Sequence, residues 1–487
     1  MGTELRLKDP ALLRDLCHVG GEWVAADSGE TVGVNSPATG DEIGTVPYFR
    51  AAETRRAVGV AEAAFPAWRS LLAKERSRLL RRWFDLVIKN QEDLAWLLTA
   101  EQGKPYKEAL SEVVSGAQFI EWFAEEARRA YGETIPAPAY DRRVVVIKQP
   151  VGVCAAITPW NFPSTIVTRK AGAALAAGCT MVVRPATETP YSALALSELA
   201  ARAGIPAGVL NVVTGHPQEM GLELTTNPAV RKLSFTGSTG VGRILMGQSS
   251  STIKKLALEL GGNAPFIVFD DADIGAAVEG AVASKFRNAG QACVGANRFY
   301  VHDSVYDEFA ARLVEKVGEL TVGDGADPAV TMGPLINTEA VEKVESHIAD
   351  AVGKGARILA GGKRHALGGS FFEPTVLADV SRDALVSCDE TFGPLAPLFR
   401  FTEEAELVEA ANDTEFGLAA YVYSHDIGRI WRMAEAIETG MVGINVGLMA
   451  NEAVPFGGIK ESGIGREGSH YGLEDYLEVK YICMGGI

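Results

Sequence analysis

The stretch RKLSFTGSTGVGRIL, residues 231–245, passes from a short apolar run through a glycine-rich turn into an apolar pattern at helical spacing. Glycines in such a turn let the backbone approach a pyrophosphate, and the first turn of the helix offers free amide N–H groups and a positive dipole. The segment GSTGVG (237–242) departs from the GxGxxG pattern, however, and a glycine-rich connection is more often only a tight turn. Its interpretation therefore depends on the surrounding sequence.

The same unit of strand, turn and helix recurs on both sides of this stretch. Between Val151 and Leu260, apolar runs of strand length alternate with turns and helical patterns, which predicts an α/β fold with a doubly wound parallel sheet. These runs are VGVCAAI, TMVVRP, VLNVVTG, RKLSFTG and KKLALEL. A second series starts near Ala264 and predicts a second α/β domain, with strands in APFIVF, FYVH, VGINV and PFGG.

These patterns predict a division into domains. Residues 1–131, which include a helical region from Glu75 to Tyr131, and residues 150–262 are assigned to a dinucleotide-binding domain, and residues 263–465 to a catalytic domain. Segments 132–149 and 466–487 read as exposed β structure that pairs with another chain, because exposed strand edges seek partners. A homodimer and a homotetramer both remain open.

Composition excludes several classes of partner. The net charge of −16 argues against nucleic acid and anionic membranes, and no apolar run approaches the roughly 18 residues of a membrane span. The N-terminus lacks an apolar targeting region, so we expect a cytoplasmic protein. The six cysteines are scattered without a CxxC pair, which indicates free thiols in a reducing compartment, and the histidines form no metal-binding cluster.

Two further polar turns leave the carboxyl ends of neighbouring predicted strands, TPWNFP (158–163) and VRPATETP (183–190). Ligands of doubly wound sheets bind at this edge, which favours a dinucleotide site. Taken alone, Asn161 would be read as a turn former. In LELGG (258–262), Glu259 lies between leucines, where desolvation would raise its pKa toward that of a general base, although a strand-end residue usually reaches solvent.

Cys293 follows a loop of polar residues and glycine, FRNAGQAC (286–293). Most buried cysteines are inert hydrophobic side chains. Here the loop has no apolar packing role, and Arg287 supplies a cation that would favour the thiolate. The sequence therefore favours Cys293 as a nucleophile.

Together, FRNAGQAC, LELGG, TPWNFP, GSTGVG and DETFGPLAP (389–397) resemble the aldehyde dehydrogenase superfamily over essentially the whole chain. The spacing from Glu259 to Cys293 also matches that family. Residues 455–481, PFGGIKESGIGREGSHYGLEDYLEVKY, look most similar to the succinate-semialdehyde dehydrogenase branch, with glutarate-semialdehyde enzymes close by. The resemblance implies the family's fold: a Rossmann-like cofactor domain, a second α/β catalytic domain and a small β oligomerisation excursion.

The resemblance also implies a mechanism. Cys293 would attack the aldehyde to form a thiohemiacetal, while the Asn161 amide and the backbone N–H of Cys293 hold the developing oxyanion. After hydride transfer a thioester remains, which Glu259 hydrolyses as general base. Lys170 matches a family lysine near the cofactor ribose and Asn161. The predicted catalytic residues are therefore Cys293, Glu259, Asn161 and Lys170.

The implied cofactor is NADP or NAD. The residues expected to bind it are Trp160, Asn161, Arg184, Pro185, Ala186, Thr187, Gly237, Ser238, Leu260, Glu390 and Phe392. Two of them depart from the usual family pattern, because Arg184 replaces a lysine and Thr187 replaces a glutamate that repels a 2′-phosphate. We therefore expect NADP to be preferred, although the charge of Glu188 could oppose this.

The implied substrate carries a distal carboxylate. Arg169 and Arg287 match the arginines that hold this carboxylate in the succinate-semialdehyde branch, and Phe162 is also expected to bind the substrate. The alternative role for either arginine is a surface or structural ion pair. Ala450 occupies the position of a family serine. Succinate semialdehyde is the expected substrate. The alternatives are glutarate semialdehyde, a neutral aliphatic aldehyde, or a cysteine acyl transferase or hydrolase that needs no nicotinamide.

Overall fold

The computed structural model describes residues 7–487 of the chain. Residues 1–6, with which the predicted cofactor domain begins, lie outside the described residues. The strands are β1 (Cys17–Val19), β2 (Glu22–Val24), β3 (Thr31–Asn35), β4 (Glu42–Pro47), β5 (Glu133–Ile135), β6 (Arg142–Pro150), β7 (Val153–Ile157), β8 (Thr180–Arg184), β9 (Leu210–Val212), β10 (Val230–Thr236), β11 (Lys255–Glu259), β12 (Ala264–Val268), β13 (Ala296–His302), β14 (Arg357–Ala360), β15 (Thr375–Ala378), β16 (Leu395–Phe401), β17 (Ala419–Tyr423), β18 (Met441–Ile444), β19 (Gly463–Ile464) and β20 (Leu477–Gly485).

The α-helices alternate with these strands over most of the chain. They are α1 (Ala51–Ser70), α2 (Ala73–Lys89), α3 (Gln91–Gln102), α4 (Tyr106–Glu126), α5 (Thr165–Ala177), α6 (Tyr191–Arg202), α7 (Pro217–Thr226), α8 (Thr239–Ser249), α9 (Ile274–Lys285), α10 (Asp303–Gly318), α11 (Thr338–Gly353), α12 (Leu385–Cys388), α13 (Glu404–Asn412), α14 (Ile427–Ala436) and α15 (Ser469–Glu474).

The first sheet contains the five strands predicted between Val151 and Leu260. Its order is β19-β11-β10-β7-β8-β9-β1-β2, and its five central strands are parallel. The parallel series therefore begins at β7 and runs outward through β8 to β9. The chain then crosses back to the other side of β7, where β10 and β11 follow. This reversal creates a crevice between the carboxyl ends of β7 and β10, where doubly wound sheets bind ligands.

The second sheet has the order β14-β15-β16-β13-β12-β17-β18 and is parallel except for β14. The strands predicted in APFIVF, FYVH and VGINV are present as β12, β13 and β18. The prediction of a strand in PFGG is wrong, because Phe456 makes only an isolated bridge to Glu467. Pro455 has no N–H to donate and Gly457 has a φ of +158°, so this run does not extend a ladder.

The β excursion forms a third sheet of order β20-β6-β5. The C-terminal strand expected to dock on a partner pairs along its whole length with β6 of the same chain, from Leu477 opposite Pro150 to Gly485 opposite Arg142. Strands β20 and β5 are the two edges of this sheet. One strand, β19, joins the first sheet although it lies within the predicted catalytic segment 263–465; the domain boundaries themselves stay a prediction.

The helical region predicted from Glu75 to Tyr131 is divided into α2, α3 and α4, which pack on α5 and α6. Its inner surface is anchored by tryptophan, since Trp83 is fully buried and donates its indole N–H to the carbonyl oxygen of Leu196 at 3.0 Å. Helices α5 and α6 in turn contact β7, β8 and β9 of the first sheet, so α2, α3 and α4 form an outer layer over them. Within residues 7–487, no helix combines the length and hydrophobicity that a membrane crossing requires.

Candidate active site

A cavity of about 360 Å³ opens at the crevice between β7 and β10. It brings together predicted residues from five separate motifs: TPWNFP, GSTGVG, LELGG, FRNAGQAC and DETFGPLAP. The predicted site residues that line it are Trp160, Asn161, Gly237, Ser238, Glu259, Leu260, Cys293, Glu390 and Phe392. The predicted residues outside this lining are Phe162, Arg169, Lys170, Arg184, Pro185, Ala186, Thr187, Arg287 and Ala450.

The loop that carries Cys293 is held in an unusual backbone conformation. Asn288 and Ala289 have φ angles of 52° and 54°, and both are buried. Gln291 secures the loop, because its Oε1 accepts a hydrogen bond from the Ile336 amide at 2.9 Å and its Nε2 donates to the Asn288 carbonyl at 3.0 Å. Such strained positions persist only where the surrounding contacts determine them, and they are common at functional sites.

Cys293 is a neutral thiol in this cavity. Burial raises its pKa to about 12, and the nearby carboxylates Glu390 and Glu259 act in the same direction. The expectation that Arg287 favours the thiolate is therefore not met in the structure. The Arg287 guanidinium lies instead over the Phe162 ring, 5.2 Å from its centre. Ionisation of Cys293 thus needs a proton acceptor or an added positive charge in the cavity.

Glu259 ends β11 and lines the same cavity as Cys293. Its Oε2 is buried and has no hydrogen-bond partner among residues 7–487. Burial, together with the charge of Glu467, raises the pKa of Glu259 well above its ordinary value, although Lys170 and Arg169 oppose this. Of the two readings that LELGG left open, a buried carboxyl and a strand-end residue in solvent, the structure shows the buried carboxyl.

Glu467 is a site residue that the sequence analysis missed. It accepts a hydrogen bond from Lys170 Nζ and another from the Arg169 guanidinium at 3.3 Å. Burial opposes its ionisation, but these two cations prevail and lower the pKa of Glu467. Lys170 also donates to Ser234 Oγ at 2.8 Å. No local signal marks Glu467, because its partners lie in α5, far away in sequence.

Asn161 lies between the two halves of the site. Its side-chain Nδ2 donates to the Gln291 carbonyl at 3.1 Å, which ties it to the Cys293 loop. Its Oδ1 is buried without a partner among the described residues. Its backbone carbonyl accepts two hydrogen bonds, from Lys104 Nζ at 2.7 Å and from Asn288 Nδ2 at 3.0 Å.

On the opposite side of the cavity, Glu390 accepts a hydrogen bond from the Gly262 amide at 3.0 Å. Burial raises the pKa of Glu390 to about 7. Phe392 has a φ of 55° and meets the Trp160 ring edge-on at 5.5 Å. Lys343 of α11 also lines this side and was missed, since no motif surrounds it.

The sequence model of the aldehyde dehydrogenase family matches residues 23–482. The chain belongs to this family. It is 64% identical over 483 residues to the glutarate-semialdehyde dehydrogenase of Pseudomonas aeruginosa and 62% identical over 481 residues to the NADP(+) succinate-semialdehyde dehydrogenase GabD of Escherichia coli, with 99% of this chain and 100% of each relative covered. The crystal structure of an Escherichia coli NADP-dependent enzyme matches with a TM-score of 0.98 at 62% identity, covering 99% of this chain and 100% of that one. The predicted family, fold and class of enzyme are confirmed.

In this aldehyde dehydrogenase, the turn after β8 follows a strand that pairs with β7, and its residues are not part of the cavity lining. Arg184 is buried, and its guanidinium donates to Thr187 Oγ1 at 3.0 Å and to the Gly215 carbonyl at 3.4 Å. Pro185 and Ala186 are also buried, whereas Glu188 is exposed. The predicted roles of Arg184 and Thr187 in cofactor binding stay predictions.

The predicted substrate residues of the dehydrogenase do not form one cluster. Arg169 is ion-paired with Glu467 and lies between the rings of Phe119 and Phe456, 4.8 and 4.4 Å from their centres. This is the structural ion pair that the sequence left open as its alternative. Arg287 and Phe162 lie together, and Ala450 is exposed in the segment after β18. The carboxylate clamp stays a prediction.

Proposed function

We propose that this aldehyde dehydrogenase oxidises an aldehyde with a distal carboxylate, succinate semialdehyde in the first place and glutarate semialdehyde as the alternative, and that NADP, or NAD, is the acceptor. One observation carries the proposal. The Cys293 thiol, the unpaired carboxyl of Glu259 and the glycine turn before α8 line the same cavity. The names of the two relatives described above support this choice of substrates.

The cavity fits a nicotinamide dinucleotide. A Cβ placed on Gly240, in the first turn of α8, would meet no other atom within 4 Å, so the backbone there is open to a pyrophosphate. Thr236 Oγ1 lines the cavity and is buried without a partner among the described residues. Gly237 and Ser238 would hold the pyrophosphate, and Glu390 and Phe392 the nicotinamide riboside. When bound, the nicotinamide supplies a hydride acceptor.

Proton transfers in the proposed reaction run through Glu259. Its raised pKa lets this carboxylate take the thiol proton of Cys293 as the sulfur bonds to the aldehyde carbon. Asn161 stabilises the developing oxyanion of the thiohemiacetal. Loss of hydride leaves a thioester on Cys293. Glu259 releases the proton that it took from the thiol to solvent, and its carboxylate then removes a proton from water. The hydroxyl adds to the thioester carbon, the C–S bond breaks with the electron pair going to the Cys293 thiolate, and the carboxylic acid leaves.

Arg287 is our choice for the primary contact of the distal carboxylate. No carboxylate among the described residues pairs with it, whereas Arg169 already carries Glu467. The nearby Phe162 ring holds the guanidinium in place without neutralising it. Ala450, which stands where the family has a serine, offers no hydroxyl, and this would relax the choice between four- and five-carbon acids.

For the cofactor, we infer a preference for NADP. Arg184 donates a hydrogen bond to Thr187 Oγ1, and Glu188 is exposed to solvent, which screens its charge. A 2′-phosphate therefore meets a cation and a hydroxyl in place of a carboxylate.

We also propose that the dehydrogenase is a cytoplasmic homo-oligomer. All six cysteines are free thiols, which suits a reducing compartment. The two edge strands β20 and β5 offer unpaired backbone groups to a second copy, as a dimer or a tetramer.

The test is a steady-state matrix of aldehydes against both cofactors, followed at 340 nm. Succinate and glutarate semialdehyde should give the highest kcat/KM, with NADP preferred, and Cys293→Ala should show no reduction of the cofactor. Arg287→Ala should raise KM for the two carboxylated aldehydes by about 10- to 100-fold, the value of one charged hydrogen bond, and leave KM for propanal unchanged.

The matched control is Arg312→Ala, which removes an exposed arginine of α10 and should change neither KM. Hydrolysis of an acyl ester, together with no change at 340 nm from any of the aldehydes with either cofactor, would instead support a cysteine hydrolase. Equal effects of Arg287→Ala on charged and neutral aldehydes would remove Arg287 from the substrate site.

A further inference from the structure

Lys104 and Glu112 form a buried ion pair that the proposed chemistry does not use. Lys104 lies in the turn between α3 and α4, and Glu112 lies in α4; their side chains are each 1% exposed, and Lys104 Nζ donates to Glu112 Oε2 at 2.5 Å. Burying two charges is costly even when they are paired, unless further hydrogen bonds satisfy their remaining donors and acceptors. The partners in those further hydrogen bonds therefore show which segment the ion pair fixes in place.

Those hydrogen bonds are made with residues 161–165, which comprise the end of the turn between β7 and α5 and the first residue of α5. Lys104 Nζ donates to the backbone carbonyl of Asn161 at 2.7 Å and lies 4.1 Å from the centre of the Phe162 ring. Glu112 Oε1 accepts hydrogen bonds from the amides of Ser164 at 2.9 Å and Thr165 at 3.3 Å. The ion pair therefore binds both ends of the segment 161–165.

A second set of contacts joins this segment to the nucleophile loop. Asn288 Nδ2 donates to the same Asn161 carbonyl at 3.0 Å, and the Asn288 amide donates to Glu108 Oε2 at 2.9 Å. Glu108 precedes Glu112 by one turn of α4. Helix α4 is thus connected to Asn161 through the Glu112–Lys104 pair and to the Cys293 loop through Glu108.

We infer that Lys104 is a positioning residue for Asn161, and that it sets the distance from the Asn161 amide to the carbon attacked by Cys293. Lys104 does not touch the reacting atoms; it acts through the Asn161 backbone. This inference rests on the proposed role of Asn161 in holding the oxyanion. A displacement of about 1 Å at such a donor lowers the rate by about 100-fold.

A purely structural role is the alternative, and the chain offers a matched control for it. Lys232 is likewise buried, forms an ion pair with Asp475 at 3.2 Å and lies 4.7 Å from the centre of the Tyr476 ring. Its ammonium does not contact Asn161. Lys232→Met therefore removes a similar buried cation from the same half of the molecule.

The experiment compares Lys104→Met with Lys232→Met by thermal unfolding and steady-state kinetics. Both variants should lower Tm, and Lys104→Met should lower it more, because Glu112 is left buried without a cation whereas Asp475 is 31% exposed. Lys104→Met should lower kcat by about 100-fold with the KM for NADP changed less than about 3-fold, while Lys232→Met keeps its kcat. Equal kcat in the two lysine variants would overturn the positioning role.

A double-mutant cycle with Asn161→Ala separates this inference from the proposed function. If Lys104 acts through Asn161, adding Lys104→Met to Asn161→Ala should lower kcat by less than about 3-fold further. Additive losses would overturn the positioning role. Full activity of Asn161→Ala alone would instead refute the proposed oxyanion contact. Should Lys104→Met fail to fold, Glu112→Gln replaces it in every arm, with the same expected losses and the same contradicting outcomes.

Discussion

Glu390 shows how the cavity changes the protonation of a single side chain. Its pKa is raised from 4.5 to about 7 by burial, and the Gly262 amide and the lysines Lys343 and Lys285 only partly offset this effect. Between pH 4.5 and about pH 7, Glu390 is therefore mostly protonated in the folded protein and mostly ionised in the unfolded chain. Folding stability should decrease as pH rises through this window, and the loss is complete above about pH 7.

Replacing Glu390 by Gln tests this sign. Glu390→Gln should leave stability nearly unchanged at pH 5 and raise it at pH 8 by about 1–2 kcal/mol, a discounted share of the roughly 1.4 kcal/mol carried by each unit of pKa. Chemical denaturation at the two pH values measures the difference, with the exposed Glu62→Gln of α1 as control. An equal gain at both pH values would contradict burial of an ionised Glu390 as the cause.

At the scale of an element, the connection between β11 and β12 sets the distance between the two halves of the site. Its second glycine, Gly262, lies so close to the nucleophile loop that a Cβ there would be 2.4 Å from the Cys293 carbonyl oxygen. Backbone cannot yield as a flexible side chain does. Gly262 is therefore required by its packing against the backbone of the Cys293 loop.

Gly262→Ala should displace the Cys293 loop and lower kcat by about 100-fold, because a shift of about 1 Å at reacting atoms has this effect. Stopped-flow and steady-state kinetics measure the loss. Gly59→Ala is the control, since Gly59 is exposed in α1 with no atom within 4 Å of an added Cβ. It should keep full activity and gain about 1 kcal/mol of stability from helix propensity. An active Gly262→Ala enzyme would show that the loop can move without consequence.

For the whole molecule, the third sheet presents apolar side chains to solvent. Val479 and Tyr481 lie two residues apart on β20, hence on one face, and are 69% and 65% exposed. Exposed apolar patches commonly mark interaction sites. We therefore expect a second copy of the chain to cover this face and the adjoining edge strands β20 and β5.

Val479→Asp combined with Tyr481→Asp should reduce the molar mass in light scattering from that of a dimer or tetramer to that of one chain of 51.8 kDa, because two buried carboxylates would oppose association. Trp431→Asp is the control, since this side chain is 62% exposed on α14, away from the third sheet. A wild-type chain that is monomeric by itself would contradict the proposed assembly.

Sequence patterns predicted local structure well, and long-range contacts poorly. The strands β7 to β11 and the helix after GSTGVG follow from apolar periodicity and turn chemistry, which depend on neighbours in the chain. The strands β14 to β17 were not among the predicted runs. Cys293, Glu259 and Asn161, which the family resemblance put forward as catalytic, line the same cavity, and their catalytic roles stay predictions.

The amino-acid sequence by itself determined the order of strands, turns and helices and the types of reactive side chain at the cavity, because these depend on residues a few positions apart. Only the tertiary structure decided that Arg169 and Lys170 share Glu467, that Lys104 holds Asn161, and that Cys293 is a neutral thiol with a pKa of about 12. Ion pairs between distant segments and the desolvation of a buried group exist only after the chain has packed, and no local pattern encodes them.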